Sequence, residues 1–252
     1  MISISSNLNL MIKAAEKASK SAIRDFGEVE KLQVSSKGPG DFVTSADKRT
    51  EKIIVNELLS AYPNYGILSE EMGEINKQNK NNRWIIDPID GTSNFLNGIP
   101  QFAISIGYEK NNEIVNAIIF DPIKNEVFIS EKGKGAFLNN KRIRVSKRKK
   151  INECLIAGSG NDINIINEKI KGKVTIRNSG SAALDMAYVG AGRYDGYFQK
   201  SLNIWDIAAG IIILKEAGGK INDIDYSSAK VIKVLAGSNS IYEKMIENLN
   251  NF

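Results

Sequence analysis

A chain of 252 residues, 42% hydrophobic and 25% charged, has room for one large domain or two closely packed halves, and its composition excludes a disordered or fibrous protein. The net charge of +5 comes mostly from lysine, which is abundant together with Asn and Ile, so it carries little weight as a sign of an anionic partner. The absence of histidine excludes a Ser-His-Asp triad and removes the usual general base and zinc ligand, so any hydrolytic chemistry must rest on carboxylates, hydroxyls, lysine or a hard metal.

Cys154 is the only cysteine, which rules out an intrachain disulfide and agrees with a reducing compartment. No apolar run approaches the roughly 20 residues of a membrane span. Residues 1–11 lack the shape of a secretory leader, so a cytoplasmic location is the expectation.

Leu8, Met11, Ile12, Ala15, Ala18, Ala22 and Phe26 fall at helical spacing and predict an amphipathic helix over about residues 7–26. Lys37-Gly38-Pro39-Gly40-Asp41 is turn-rich and Phe42-Val43-Thr44 is short and β-prone. Ser45 then reads as the cap of a second helix to about residue 61, with Ile53, Ile54 and Leu58 as its buried stripe. After Pro63, β-branched or aromatic runs at 67–68, 84–86, 102–108, 114–120 and 126–130 predict strands separated by Asn, Gly and Lys turns. From Lys141 the elements alternate: strand 154–157, helix 163–170, strand 174–177, helix 181–189, strand 197–198, helix 207–217 closed by Gly218-Gly219, and a last strand 231–236. Helices first, a run of strands next and mixed elements last imply an α/β layered sandwich in two sequential halves, 1–140 and 141–252.

Four acidic sites stand out. In Trp84-Ile85-Ile86-Asp87-Pro88-Ile89-Asp90-Gly91-Thr92 an apolar strand runs straight into two aspartates, an arrangement that is costly unless something positive meets them. All-oxygen ligands favour Mg²⁺ or Mn²⁺ over zinc. A helical turn starting after Gly91 would point the Gly91 and Thr92 amides outward at an anion. The alternative is a strand–turn with Asp90 as a turn residue. Glu70-Glu71 is the second site, and taken alone reads as solvated surface. Asp206, after Trp205, opens an apolar helix, where an acid is favoured by the helix dipole without any metal. Lys37, Asp41, Thr44 and Asp47 form the fourth, by itself a charged turn and helix start.

The order and spacing of these sites closely resemble the inositol monophosphatase family of magnesium-dependent, lithium-sensitive phosphatases. The resemblance rests on Asp87-Pro88-Ile89-Asp90-Gly91-Thr92, the preceding Glu70-Glu71, and Trp205-Asp206-Ile207-Ala208-Ala209-Gly210 far downstream. Residues 37–47, Gly133-Lys134-Gly135-Ala136-Phe137, Ser179-Gly180-Ser181-Ala182-Ala183 and Glu216-Ala217-Gly218-Gly219 extend it over nearly the whole chain.

The resemblance implies a sandwich with alternating helix and sheet layers (αβαβα) of the inositol monophosphatase/fructose-1,6-bisphosphatase type. It implies hydrolysis of inositol monophosphate by a metal-activated water, two or three Mg²⁺ per site with Mn²⁺ as a substitute, inhibition by Li⁺, and a homodimer. Glu70, Asp87 and the carbonyl of Ile89 would hold one ion, and Asp87, Asp90 and Asp206 a second. Thr92 and Glu70 would orient the water, with Asp41, Thr44 and Asp47 in support and Asp47 bonded to Thr92. Gly91 and Thr92 would meet the phosphate, while Asp90, Gly180, Ser181 and Ala182 would meet the alcohol.

Gln199 departs from the pattern, standing where many family members carry a glutamate that bonds inositol hydroxyls; it loses a charge-assisted acceptor. Fructose 1,6-bisphosphate, histidinol phosphate and nucleotide 3′-phosphates therefore compete as substrates, although Thr92-Ser93-Asn94-Phe95 favours the inositol branch. A function of another class, as an RNA or transcription accessory protein, would use the basic run 141–150, which otherwise reads as a solvated hairpin and linker without interleaved aromatics. Gly133-Lys134-Gly135 lacks the spacing of a phosphate loop. Cys154 reads as a small buried hydrophobe, Trp84 and Trp205 as packing, and Arg177 as a structural anchor rather than a phosphate contact.

Overall fold

The computed structural model describes residues 4–29, 34–38, 41–79, 81–160, 162–170, 174–226 and 229–249, the side chains of 34–38, 41–43 and 232 excepted. Helix α1 (Ser6–Phe26) is capped by the Ser5 hydroxyl, which accepts the Leu8 N–H. Its alanines 14, 15, 18 and 22 are fully buried, which lets it pack closely on its neighbours. A hairpin of β1 (Val34–Gly38) and β2 (Asp41–Thr44) leads into α2 (Ser45–Ala61). The cap of α2 is Thr44, one residue before the expected Ser45. Its hydroxyl accepts from Ala46 and Asp47 N–H at 3.0 and 3.2 Å, while Asp47 Oδ2 accepts the Thr44 N–H at 2.8 Å. This reciprocal pairing satisfies donors at both ends of the first turn.

The first sheet holds β3 (Gly66–Ser69), β4 (Gly73–Ile75), β5 (Asn82–Asp90), β6 (Ala103–Lys110), β7 (Glu113–Asp121), β8 (Glu126–Glu131), β9 (Gly135–Leu138) and β10 (Lys141–Arg142), with the short α3 (Thr92–Leu96) following β5. Spatial order is β10-β9-β8-β7-β6-β5-β3-β4, antiparallel throughout except for the parallel pair β3–β5. The second sheet is built from β11 (Leu155–Gly158), β12 (Thr175–Arg177), β13 (Gly196–Asn203), β14 (Lys220–Ile221) and β15 (Lys230–Gly237) in the order β12-β11-β13-β15-β14. Between its strands come α4 (Asp162–Lys169), α5 (Ala182–Gly190) and α6 (Ile204–Glu216), and α7 (Asn239–Leu249) follows β15.

Three cores give the layer order. Leu8, Met11, Ile54 and Leu58 of α1 and α2 pack on Trp84, Ile86, Ile104 and Ile118 of the first sheet. The other face of that sheet, through Ile85, Ile119 and Phe128, meets α5 and α6, which also cover Tyr197, Val231 and Val234 of the second sheet. Cys154, Ile156, Phe198 and Leu235 on the outer face of the second sheet pack against Ile166, Ile241, Met245 and Leu249 of α4 and α7. The sandwich is therefore helix, sheet, helix, sheet, helix, as expected, and Cys154 is a buried core residue.

Helix α7 was not expected from the sequence. It buries Ile241, Met245 and Leu249 at i, i+4 and i+8. The expected strand 197–198 extends to residue 203 because its polar residues pair with β15, Gln199 opposite Val234 and Lys200 opposite Lys233.

Two residues of the basic run, Arg142 and Arg148, are tied to the fold. The Arg142 guanidinium donates to Lys134 O at 2.6 Å and lies 5.3 Å from the Phe137 ring centroid. One guanidinium nitrogen of Arg148 donates to both oxygens of fully buried Asp195, at 3.1 and 3.2 Å, and Asp195 Oδ2 also accepts the Leu155 N–H at 2.8 Å. Asp195 thus anchors the entry into the second sheet. Asp195→Ala leaves the Leu155 amide without its acceptor and an exposed guanidinium to water, and is expected to cost about 1–3 kcal/mol of unfolding free energy by chemical denaturation.

Candidate functional site

The site grows from the one parallel pair in the first sheet. Residues 66–69 of β3 align with 83–86 of β5, and Glu70 N–H donates to Ile86 O at 3.2 Å. Glu70, the first residue after β3, is thereby placed level with Asp87 of the longer β5. Along β5 the faces alternate: Trp84 and Ile86 join the α1/α2 core while Ile85 joins the inner one. Asp87 follows Ile85 to the inner side.

In a regular strand Asp90 would point away from Asp87. A bulge prevents this: Asp87 lies opposite Ser105 and Asp90 opposite Ala103, so three steps on β5 match two on β6. Both aspartates consequently share one face. Pro88, which has no N–H to give, sits within the bulge.

Gly91 turns the chain with φ of 99°. A Cβ there would stand 3.0 Å from Gln101 O and 3.3 Å from Gly180 O, so only glycine fits both the dihedral and the space. The Asn94 amide ties this turn to the second half, donating to Gln101 O at 2.7 Å and Ser179 O at 2.8 Å. Asp90 makes the second tie. It accepts the Ser181 hydroxyl and, at 2.9 Å, the Ala183 N–H, so its carboxylate caps the N-terminus of α5.

Thr92 stands where two acceptors meet: its hydroxyl is 3.1 Å from Ile89 O and 3.3 Å from Asp47 Oδ1. Asp206 is the third residue of α6, and its Oδ2 accepts the Asn203 N–H at 2.8 Å. That helix begins three residues before the expected position 207.

One cavity of about 180 Å³ collects Glu70, Asp87, Ile89, Asp90, Gly91, Thr92, Gly180, Ser181, Ala182, Gln199 and Asp206. Asp47 is buried behind it and reaches it through Thr92. Glu71 and Arg177 are not among the lining residues, and Arg177 is exposed, donating to Ile176 O. The side chains of Lys37 and Asp41 lie outside the described residues.

Two acidic residues near the site escaped the sequence reading. Glu51 is fully buried, and its Oε1 accepts the Glu71 and Met72 N–H groups at 3.0 and 3.3 Å, holding the loop that carries Glu70. Its position one helical turn after Asp47 was the available signal. Asp185 lines the cavity and is buried, one turn after Ser181.

Electrostatics define what the cavity accepts. Burial pushes Asp87 well above the ordinary carboxylate range, and the charges of Glu70, Asp90, Asp206 and Asp47 push it further. Burial raises Asp90 to about 6 against the opposing hydrogen bonds from Ser181 and the α5 backbone. Asp47 is likewise raised to about 6 by burial, although Thr44 counters with two hydrogen bonds. No lysine or arginine lines the cavity among the described residues. Nor, among them, is any group of three acidic side chains drawn together into a closed metal cage: the carboxylates stand around the wall and act on each other by charge. The donor set is all oxygen, without histidine or thiolate, and fits a hard divalent cation.

A model of the inositol monophosphatase family matches residues 4–251. The inositol-1-monophosphatase of Rhizobium meliloti is 48% identical over 227 residues, covering 86% of this chain and 85% of that protein. Nus factor SuhB of Xylella fastidiosa is 40% identical over 231 residues, covering 88% of this chain and 83% of that protein. The crystal structure of the extragenic suppressor protein suhB from Bartonella henselae matches with a TM-score of 0.89 at 43% identity, over 97% of this chain and 98% of that one.

Proposed function

The chain belongs to the inositol monophosphatase family, and from that premise we propose that it is a Mg²⁺-dependent phosphomonoesterase acting on inositol monophosphate of the myo-inositol 1-phosphate type. The observation that carries this reading is the ring of Glu70, Asp87, Asp90 and Asp206, with Asp87 and Asp90 buried, around a cavity with no basic side chain among its described lining residues. A phosphate dianion enters such a ring only with cations that answer both charges.

Glu70, Asp87 and the Ile89 carbonyl would hold one Mg²⁺, and Asp87, Asp90 and Asp206 a second, with Mn²⁺ as a substitute and Li⁺ as an inhibitor. Bound there, Mg²⁺ supplies an acidified water and charge neutralisation. The remaining work falls to the chain. The Thr92 hydroxyl donates a hydrogen bond to Asp47 Oδ1 or Ile89 O and so turns its oxygen lone pairs toward the water, whose proton Glu70 accepts. The water oxygen forms the new bond to phosphorus as the ester P–O bond breaks, and the departing alcohol oxygen takes up a proton from solvent water, to which Glu70 returns the one it accepted. Gly91 and Thr92 border the phosphate, and Asp90, Gly180, Ser181, Ala182 and Gln199 border the alcohol. Residues 1–140 supply most of the ligands and 141–252 supply Asp206 and the substrate loop, one catalytic unit that we place in the cytoplasm as a homodimer.

The test is phosphate release from myo-inositol 1-phosphate, fructose 1,6-bisphosphate, histidinol phosphate and a nucleotide 3′-phosphate, with Mg²⁺, with EDTA and with added Li⁺. The expected result is preferred turnover of the inositol ester that EDTA abolishes and Li⁺ inhibits. No Mg²⁺-dependent turnover of any ester would defeat the reading. A second reading, a binding role in RNA or transcription, rests on the basic run 141–150 and on the likeness to Nus factor SuhB. Retention of a structured RNA by a folded protein that turns over none of these esters would favour it.

A further inference from the structure

The cavity contains one carboxyl to which the chemistry above gives no task. Asp185 sits in the first turn of α5, one turn beyond Ser181 on the wall assigned to the alcohol. It is 2% exposed, and its Oδ1 is buried without a hydrogen-bond partner among the described residues. An acid in a first helical turn is favoured by the helix dipole alone, but such residues ordinarily face water. A buried carboxyl oxygen left unpartnered is uncommon in folded proteins, and here its residue lines the cavity proposed for the substrate.

We propose that Asp185 is a specificity-determining residue for the alcohol half of the substrate, hydrogen-bonding a hydroxyl of a phosphorylated polyol and thereby selecting polyol phosphates over esters without hydroxyl groups. The inference rests on the phosphomonoesterase reading and adds to it the group that recognises the alcohol.

Two observations support the assignment. Gln199, which also lines the cavity, brings no charge, and its Oε1 already accepts the Tyr197 hydroxyl at 2.6 Å. Asp185 restores a carboxyl to the same cavity from a different element. Burial, opposed by a hydrogen bond with Ser179 and reinforced by the charge of Asp90, pushes Asp185 up to about 8. At neutral pH it is thus chiefly the neutral acid, which offers an O–H as well as an acceptor and does not repel the phosphate. A site built to bond a hydroxyl rejects the analogue that lacks it, because its own polar group then stays unpaired.

The experiment compares wild type, Asp185→Ala and Asp185→Asn on myo-inositol 1-phosphate and p-nitrophenyl phosphate, whose alcohol part has no further hydroxyl. The ratio of kcat/KM for the inositol ester to that for the aryl ester is expected to fall by at least about tenfold in Asp185→Ala, through KM for the inositol ester. Asp185→Asn, which keeps a donor and an acceptor, is expected to lie between the two. A ratio within about twofold of wild type in both variants, however far the two rates move together, overturns the proposal. Should Asp185→Ala melt below the assay temperature, Asp185→Asn decides by the same ratio. A wild type that hydrolyses neither ester removes the phosphomonoesterase reading and this inference with it, whereas hydrolysis of both with an unshifted ratio in the variants removes the inference alone.

Discussion

Asp87→Asn is expected to lower phosphate release by at least about a thousandfold and, in EDTA, to raise the melting temperature by at least about 2 °C. Both effects come from the same crowding. Asp87 is 2% exposed and feels the charges of four other carboxylates, which a divalent cation would relieve. Without metal, asparagine removes a buried like charge while its side-chain oxygen still accepts the Ile89 N–H that Asp87 Oδ1 now takes at 3.1 Å. With metal, the variant would lack the carboxylate that we propose both ions share. The sign of the pH dependence follows. Asp47 and Asp90 titrate near 6 in the folded chain against 3.8 ordinarily, so the folded state binds more protons than the unfolded one between those values. Stability of the metal-free protein is therefore expected to fall as pH rises from about 4 to 6, and saturating Mg²⁺ to oppose the fall. Melting curves at several pH values check this, and a variant that melts lower than wild type in EDTA would contradict it.

Thr92→Val is expected to lower kcat by about a hundredfold to a thousandfold with KM for the ester within about threefold of wild type. Valine keeps the shape and removes only the hydroxyl, whose proton has Ile89 O and Asp47 Oδ1 as acceptors. Asp47 Oδ2 meanwhile takes both the Thr44 hydroxyl and its N–H, at 2.5 and 2.8 Å, so the acceptor that orients Thr92 is itself fixed by the cap of α2. Steady-state kinetics at saturating Mg²⁺ separates the outcomes. A KM that rises while kcat stays level would assign Thr92 to substrate binding instead of water orientation.

Local features made the first stages legible. The apolar run 84–86 entering Asp-Pro-Ile-Asp-Gly-Thr announced a strand that ends in acids, and the stripes of α1 and α2 announced helices with one buried face. These follow from side-chain periodicity and turn chemistry, which act over a few residues. Polar β13 was underestimated because what makes it a strand is its pairing with β15, more than 25 residues downstream. Arg148 read as one charge in a solvated run, and its buried partner Asp195 lies 47 residues away.

What the sequence determined by itself was the chemistry on offer: oxygen ligands, no histidine, a hard metal as the natural complement, and the motif order that gave the family. The tertiary structure alone decided how these groups meet. It chose β3 as the parallel neighbour of β5, which sets Glu70 beside Asp87, and it placed the bulge that turns Asp90 to the same face. It clasped Asp90 to the N-terminus of α5, so that the two halves close one cavity, and it buried Asp185 and Glu51, whose surroundings set what they can bond. The physical reason is that charge, desolvation and hydrogen-bond partnership depend on distances in space. Strand neighbours far apart in the chain are selected by the joint packing of all the layers, which no short stretch of residues encodes.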